Sequence, residues 1–241
     1  MEVEGRRMPV NRENAATVAP ERRSLVDDAY DALKAGVLDG SFAPGHQASE
    51  QEIALRLGMS RTPVHEAVIR LQEDGLVRVL SRRGVLICAI APDDMREIYD
   101  VLVAIEGRAA ELIAALPEPD RFAVADDLAR FTEEMEAALA SENRIAWGEA
   151  DARFHAALIG GCRNRRIVRI MQTINDQSHR ARMVTLRLRK GLAASVEEHR
   201  AIVAAIRAGD AAAAHEAGRR HRLNACAELI PALESLGLKH L

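Results

Sequence analysis

Apolar residues recur every three to four positions over most of the chain, and Gly and Pro sites cut this pattern into segments. In the first segment Leu25, Ala29, Leu33 and Val37 fall at helical spacing, and Gly40 followed by Pro44-Gly45 ends it. Ser49-Glu50-Gln51-Glu52 reads as a capping box opening a second, short helix with Ile53 and Leu57 inward and Gly58 as its stop. Ser60 is a second capping residue and Pro63 suits a first helical turn, so a third helix begins at once. It carries Val64, Ala67, Val68 and Leu71 on one face and Arg61, Thr62, His65 and Gln72 on the other. Two short helices joined by a tight glycine turn form the helix-turn-helix pattern. The segments Leu76–Leu80 and Val85–Ile87, joined by Ser81-Arg82-Arg83-Gly84, predict a two-stranded wing.

Beyond Pro92 the pattern changes to long helices over roughly 93–116, 120–140, 144–160, 164–188, 192–208 and 210–234, with no proline between Pro119 and Pro231. Residues 1–21 show no period and read as a disordered tail. The predicted fold is mainly α. A winged helix-turn-helix of three helices and a two-stranded wing occupies 22–90, and an antiparallel all-α bundle of six or seven helices occupies 91–241.

Composition narrows the function. Residues 22–90 hold nine Lys/Arg and nine Asp/Glu, and the whole chain carries −3, so no basic stripe marks a protein that coats nucleic acid by phosphate neutralisation. Any DNA reading rests on motif geometry. Three widely spaced cysteines, Cys88, Cys162 and Cys226, suit a reduced compartment, and no apolar run is long enough to span a bilayer. The chain is read as cytoplasmic, without a membrane partner.

The third helix has the layout of a recognition helix, with Arg61 and Thr62 at its start and His65 one turn on. Arg70 is better placed for the DNA backbone, and Arg82 and Arg83 stand at the wing tip. Solvated arginines on a plain helical hairpin are the simpler alternative. In the second half, Asp151 and His155 are i and i+4 on a face shared with Trp147, Phe154 and Leu158, where a lone carboxylate is costly. His199 lies in a stripe with Leu192, Val196, Val203 and Ile206, and His221 follows the small residues Ala214, Ala217 and Gly218. Taken singly, each histidine is more often a core residue than a ligand. His215, sharing a face with Arg219 and Arg222, reads as solvated.

The runs Gly40–Gly45, Ser49–Ala54, Ser60–Val68, Arg70-Leu71 and Asp74–Val77 resemble the GntR-family winged helix-turn-helix. The resemblance implies a homodimer on a short inverted repeat of double-stranded DNA, with Arg61, Thr62, Arg70 and the wing around Gly84 at the duplex. His65 stands where the family usually has arginine. Asp151–His155, Glu198–Ile202, Gly209-Asp210 and His221 resemble the C-terminal FCD domain of the FadR subfamily. That likeness implies a divalent ion on Asp151, His155, His199 and His221, zinc first among the expectations and nickel or manganese as alternatives. It also implies a small organic effector, typically a carboxylate, held with help from an arginine on the domain's first helix. Glu106 matches the family glutamate, but Leu102 occupies the arginine position. Arg180 or Arg182 then supplies the charge, the metal alone holds the ligand, or the effector is different.

The implied function is an effector-controlled transcription regulator, by family habit a repressor. The alternatives are a metal-dependent hydrolytic enzyme with an appended winged helix, and an interaction module without a small ligand in which Asp151 merely pairs with Arg153 or another surface charge. No HExxH, GxSxG or glycine-rich phosphate loop supports the enzyme.

Overall fold

The computed structural model describes residues 24–237, so the predicted tail, 1–21, lies outside the described residues. The first unit runs α1 (Leu25–Leu38), β1 (Gln47–Ala48), α2 (Glu50–Leu57), α3 (Arg61–Glu73), β2 (Val77–Leu80) and β3 (Gly84–Ile87). Ala29, Leu33 and Val37 are buried, whereas Leu25 is 70 % exposed, so the inward stripe begins one turn later than its spacing suggested. Ser49 and Glu52 make both bonds of the capping box, and Gly58 closes α2 in the left-handed region. Ser60 occupies the N-cap of α3 but its side chain caps nothing. The inward face of α3 is Val64, Ala67, Val68 and Leu71, as the periodicity required.

The wing has a third strand. β1 pairs antiparallel with β3, Gln47 opposite Leu86 and Ala48 opposite Val85, giving the order β1-β3-β2. Two residues are too short to leave an alternating pattern, which is why the sequence predicted only two strands. Gly84 has φ 89°, and a Cβ there would stand 2.5 Å from the Ala48 carbonyl oxygen. Its first role is to let β1 close on the hairpin.

Six helices follow: α4 (Pro92–Ala114), α5 (Glu118–Ala140), α6 (Arg144–Gly161), α7 (Arg165–Thr185), α8 (Leu192–Ala208) and α9 (Ala211–Ser235). Contacts of Arg96 with Glu234 and of Glu111 with His215 show that α4 and α9 run antiparallel. They approach closely because Gly218 faces Gly107. A Cβ on Gly218 would sit 3.2 Å from the Gly107 Cα, and one on Gly107 only 2.8 Å from the His215 carbonyl oxygen. α5 runs antiparallel to α6 and α8 through Glu134–Arg153 and Glu136–Arg200. Each unit has its own apolar core.

One helix joins the units. On α7, Asp176 pairs with Lys34 of α1 at 2.5 Å, Gln177 donates to the Asp74 carbonyl at 2.8 Å, and Arg180 donates to the Cys88 carbonyl at 2.6 Å.

Candidate metal centre and nucleic-acid interface

In the bundle, Asp151 and His155 project from α6, His199 from α8 and His221 from α9, and all four are at most 3 % exposed. The ligand atoms of the three histidines lie within 4.8 Å of one another, and Asp151 reaches two of them. His199 Nε2 lies 3.1 Å from His221 Nε2, which lies 3.4 Å from His155 Nε2, and Asp151 Oδ1 is 3.5 Å from His155 Nε2 and 3.9 Å from His199 Nε2. Stacking on Phe154, with ring centroids 4.1 Å apart, holds the His199 ring.

Two of the three outer ring nitrogens face carboxylates that orient their rings. His221 Nδ1 is 2.8 Å from Glu198 Oε2, and His155 Nδ1 is 3.1 Å from Glu106 Oε2, although off the ideal hydrogen-bond line. A carboxylate on Nδ1 leaves the Nε2 lone pair aimed inward, the arrangement metal-bound imidazoles use. Glu106 in turn meets Arg222 through both oxygens, one contact at 2.6 Å.

Charge follows from burial. Burial, reinforced by the neighbouring histidines, drives His199 and His221 well below the usual imidazole range, so both are neutral near pH 7. For Asp151 burial pushes upward, but His155 and Arg182 outweigh it and hold the carboxyl well below its usual value. Glu106 is held down likewise, by Arg222 and His155 against burial. Both acids are therefore carboxylates.

Several buried polar atoms here lack an aligned hydrogen-bond partner among the described residues: Asp151 Oδ2, Arg182 Nε, His199 Nδ1 and the Tyr99 hydroxyl. Arg182 Nε lies 3.1 Å from Asp151 Oδ2, close enough to pair electrostatically. Buried polar atoms are normally satisfied, so such a concentration marks a place built for something other than packing. Three imidazoles and a carboxylate fit a first-row divalent ion by donor chemistry.

In the first unit Arg61, Thr62 and His65 lie on the exposed face of α3. Glu50, at the start of α2, holds two of them, through His65 Nδ1 at 2.7 Å and Arg61 Nε at 3.2 Å. Arg70 instead bonds Asp27 at 2.8 Å and stacks on Tyr30, its guanidinium 4.0 Å from the ring centroid. Arg82 and Arg83 are exposed at the turn, Arg82 in the left-handed region with φ 60°.

Residues 25–87 match the bacterial regulatory proteins of the gntR family, and residues 97–224 match the FCD domain. An HTH-type transcriptional regulator from the TAR-I ttuE-ttuC' intergenic region of Agrobacterium vitis is 49% identical over 134 residues, 56% of this chain and 78% of that protein. The chain belongs to the GntR family and carries an FCD domain. The HTH-type transcriptional repressor GlaR of Escherichia coli is 26% identical over 202 residues, covering 81% of this chain and 91% of that protein. A GntR transcriptional regulator from Rhodococcus sp. RHA1 superposes with TM-score 0.69 at 25% identity, over 86% of this chain and 98% of that one. The matched families and these relatives are regulators, which sets aside the hydrolase reading.

Of the two FCD-domain arginines singled out from sequence, Arg182 points into the bundle at Asp151, and Arg180 points the other way, to the joint with the winged helix. Leu102 is fully buried in the apolar core. Arg153 pairs with Glu134 at 2.6 Å rather than with Asp151, against the interaction-module alternative. His215 is half exposed against Glu111, but Arg222 is not solvated with it. At 1 % exposure it is the buried partner of Glu106. The sequence reading missed Arg222, Tyr99, Glu198 and Glu50. For Arg222 a signal existed, since Ala214, Gly218 and Arg222 repeat at i+4 on the small-residue stripe.

Proposed function

We propose that this GntR-family regulator is a repressor that binds an inverted-repeat operator as a homodimer and releases it in response to a small anionic effector bound beside a divalent ion. Arg61, Thr62 and His65 read base edges, and Arg70, Arg82, Arg83 and the backbone at Gly84 meet phosphates or the minor groove. Asp151, His155, His199 and His221 hold the ion, with zinc, nickel and manganese all compatible with the donor set. When bound, the ion supplies a Lewis-acid anchor and positive charge. Glu106 is already offset by Arg222 and Asp151 by Arg182, and the imidazoles of His199 and His221 are neutral, so an anionic ligand suits the loaded site. Arg182 and the Tyr99 hydroxyl stand in for the arginine that Leu102 replaces.

One observation carries the reading. α7 presents Arg182 to Asp151 on one side and Asp176, Gln177 and Arg180 to the winged helix on the other. An effector that pulls Arg182 from Asp151 therefore acts on the helix that seats the DNA-binding unit, which is the differential contact a switch requires.

The test is to select operator duplexes from a random pool with the full-length protein, then measure their affinity by fluorescence anisotropy. Chelator, metal add-back and a panel of small carboxylates are the variables. At least one carboxylate should weaken operator binding tenfold or more in metal-loaded wild type, and Arg182→Met should blunt that response while binding DNA normally. A full response in the variant would defeat the assignment.

A further inference from the structure

A cavity of about 480 Å³ lies where the winged helix meets the bundle, and none of Asp151, His155, His199 and His221 lines it. Val37, Pro44 and Ile90 line it from one side and Ile145, Met183 and Leu186 from the other. Arg180, only 4 % exposed, is among its lining residues. Its Nη2 donates to the Cys88 carbonyl, but its Nε has no acceptor among the described residues. Burial pulls this guanidinium below its ordinary range. No carboxylate among the described residues offsets that. The other buried arginines among the described residues, Arg182, Arg189 and Arg222, face Asp151, Glu228 and Glu106.

A buried cation without a counter-anion is costly and is retained where something supplies the missing charge. The cavity adds Arg144 and Arg187 to its lining against Asp39 and Glu142, and the Asp39 carboxylate already accepts the Ser41 N–H at 2.8 Å. Arginines set among apolar walls describe a receptor for an amphipathic anion.

We propose that this joint is a second ligand site, binding a small organic monocarboxylate whose charged end pairs with Arg180 and whose hydrocarbon body fills the space between α1 and α7. A ligand there touches both units at once, so it fixes their relative placement and with it operator affinity. The site does not depend on the metal centre or its effector.

The experiment is calorimetric titration of full-length protein with octanoate and with benzoate, and with inorganic phosphate as a charge-only probe. It is run on wild type with and without EDTA, and on Arg180→Met, Arg182→Met and Ile145→Trp. Ile145 is 59 % exposed, so tryptophan there narrows the cavity mouth without entering a core. Circular dichroism checks the fold of each variant, and Ile145→Trp decides if Arg180→Met fails to fold. The proposal expects one carboxylate to bind, phosphate to bind at least tenfold more weakly, and Arg180→Met and Ile145→Trp each to weaken binding tenfold or more. EDTA and Arg182→Met should leave it within twofold. It is overturned if neither carboxylate binds at millimolar concentration, if Arg180→Met and Ile145→Trp bind as wild type does, or if EDTA or Arg182→Met abolishes binding, which would move the ligand to the metal centre.

Discussion

Replacing Glu106 with glutamine probes what holds the bundle core together. Glu106 is fully buried, meets Arg222 through both oxygens and lies beside His155 Nδ1. Glutamine keeps the shape but removes the charge, leaving a buried guanidinium with an amide that must turn one donor toward it. Removing one partner of a buried ion pair costs about 3–5 kcal/mol. In a unit of this size each kcal/mol moves the melting temperature by roughly 2–4 °C, so a fall of about 6–20 °C is expected. Thermal and urea unfolding, followed by circular dichroism in chelator, isolates this effect from any stabilisation by bound metal. Glu106→Gln combined with Arg222→Met removes both charges and should recover a large part of the loss. Metal affinity of the single variant should drop roughly 10–100-fold, because the carboxylate that orients His155 is gone. The reasoning fails if the single variant loses less than about 1 kcal/mol, the worth of an exposed pair. It fails equally if the double variant loses the sum of the two singles.

Gly107→Ala places a methyl 2.8 Å from the His215 carbonyl oxygen, so α4 and α9 must part. A loss of about 1–3 kcal/mol in urea unfolding is expected, and wild-type stability would show that the helices do not approach this closely. Glu228 accepts hydrogen bonds from the backbone N–H of Lys190 at 2.8 Å, from that of Gly191 and from Arg189 Nε at 3.0 Å; burial opposes them, yet they hold its carboxyl below the usual glutamate value. A depressed carboxyl stabilises the fold above its unfolded pKa and loses that contribution as pH falls through the folded one. The urea midpoint of Glu228→Gln should therefore lie below wild type at pH 7 and converge with it toward pH 3; a constant gap would contradict the assignment. Glu50→Gln removes the carboxylate that engages Arg61 and His65. Affinity for duplex should rise several-fold with a steeper salt dependence, because a negative charge beside the duplex is gone, whereas unchanged affinity and slope would place Glu50 and its two partners away from the duplex.

Much of the scaffold was legible because it is written in local chemistry. The capping box at Ser49, the stop at Gly58 and the inward stripe of α3 need no distant partner to be read. The bundle helices were legible because Pro and Gly punctuate long periodic runs. β1 was not, since a two-residue strand is defined by what it pairs with. At the centre, the i, i+4 pairing of Asp151 and His155 was visible on one helix, but joining them to His199 and His221 needed family resemblance, because convergence across three helices leaves no trace in spacing. The ring of supporting charges was less legible still. Arg222 shares a helix face with His215, which reads as solvated, and only Glu106 on a helix remote in sequence shows why Arg222 is buried. The opposite aims of Arg180 and Arg182 follow from their two-residue separation on α7, but which one faces the core is a tertiary fact.

Metal stoichiometry is the sharpest check on the four converging side chains. Full-length protein would be stripped with chelator, dialysed against zinc, nickel or manganese, and analysed by mass spectrometry for ions per chain, alongside His199→Gln and His221→Gln. The geometry predicts close to one tightly held ion per chain in wild type for at least one of these metals, and little or none in either variant. No retained ion in wild type, or equal loading in both variants, would contradict it.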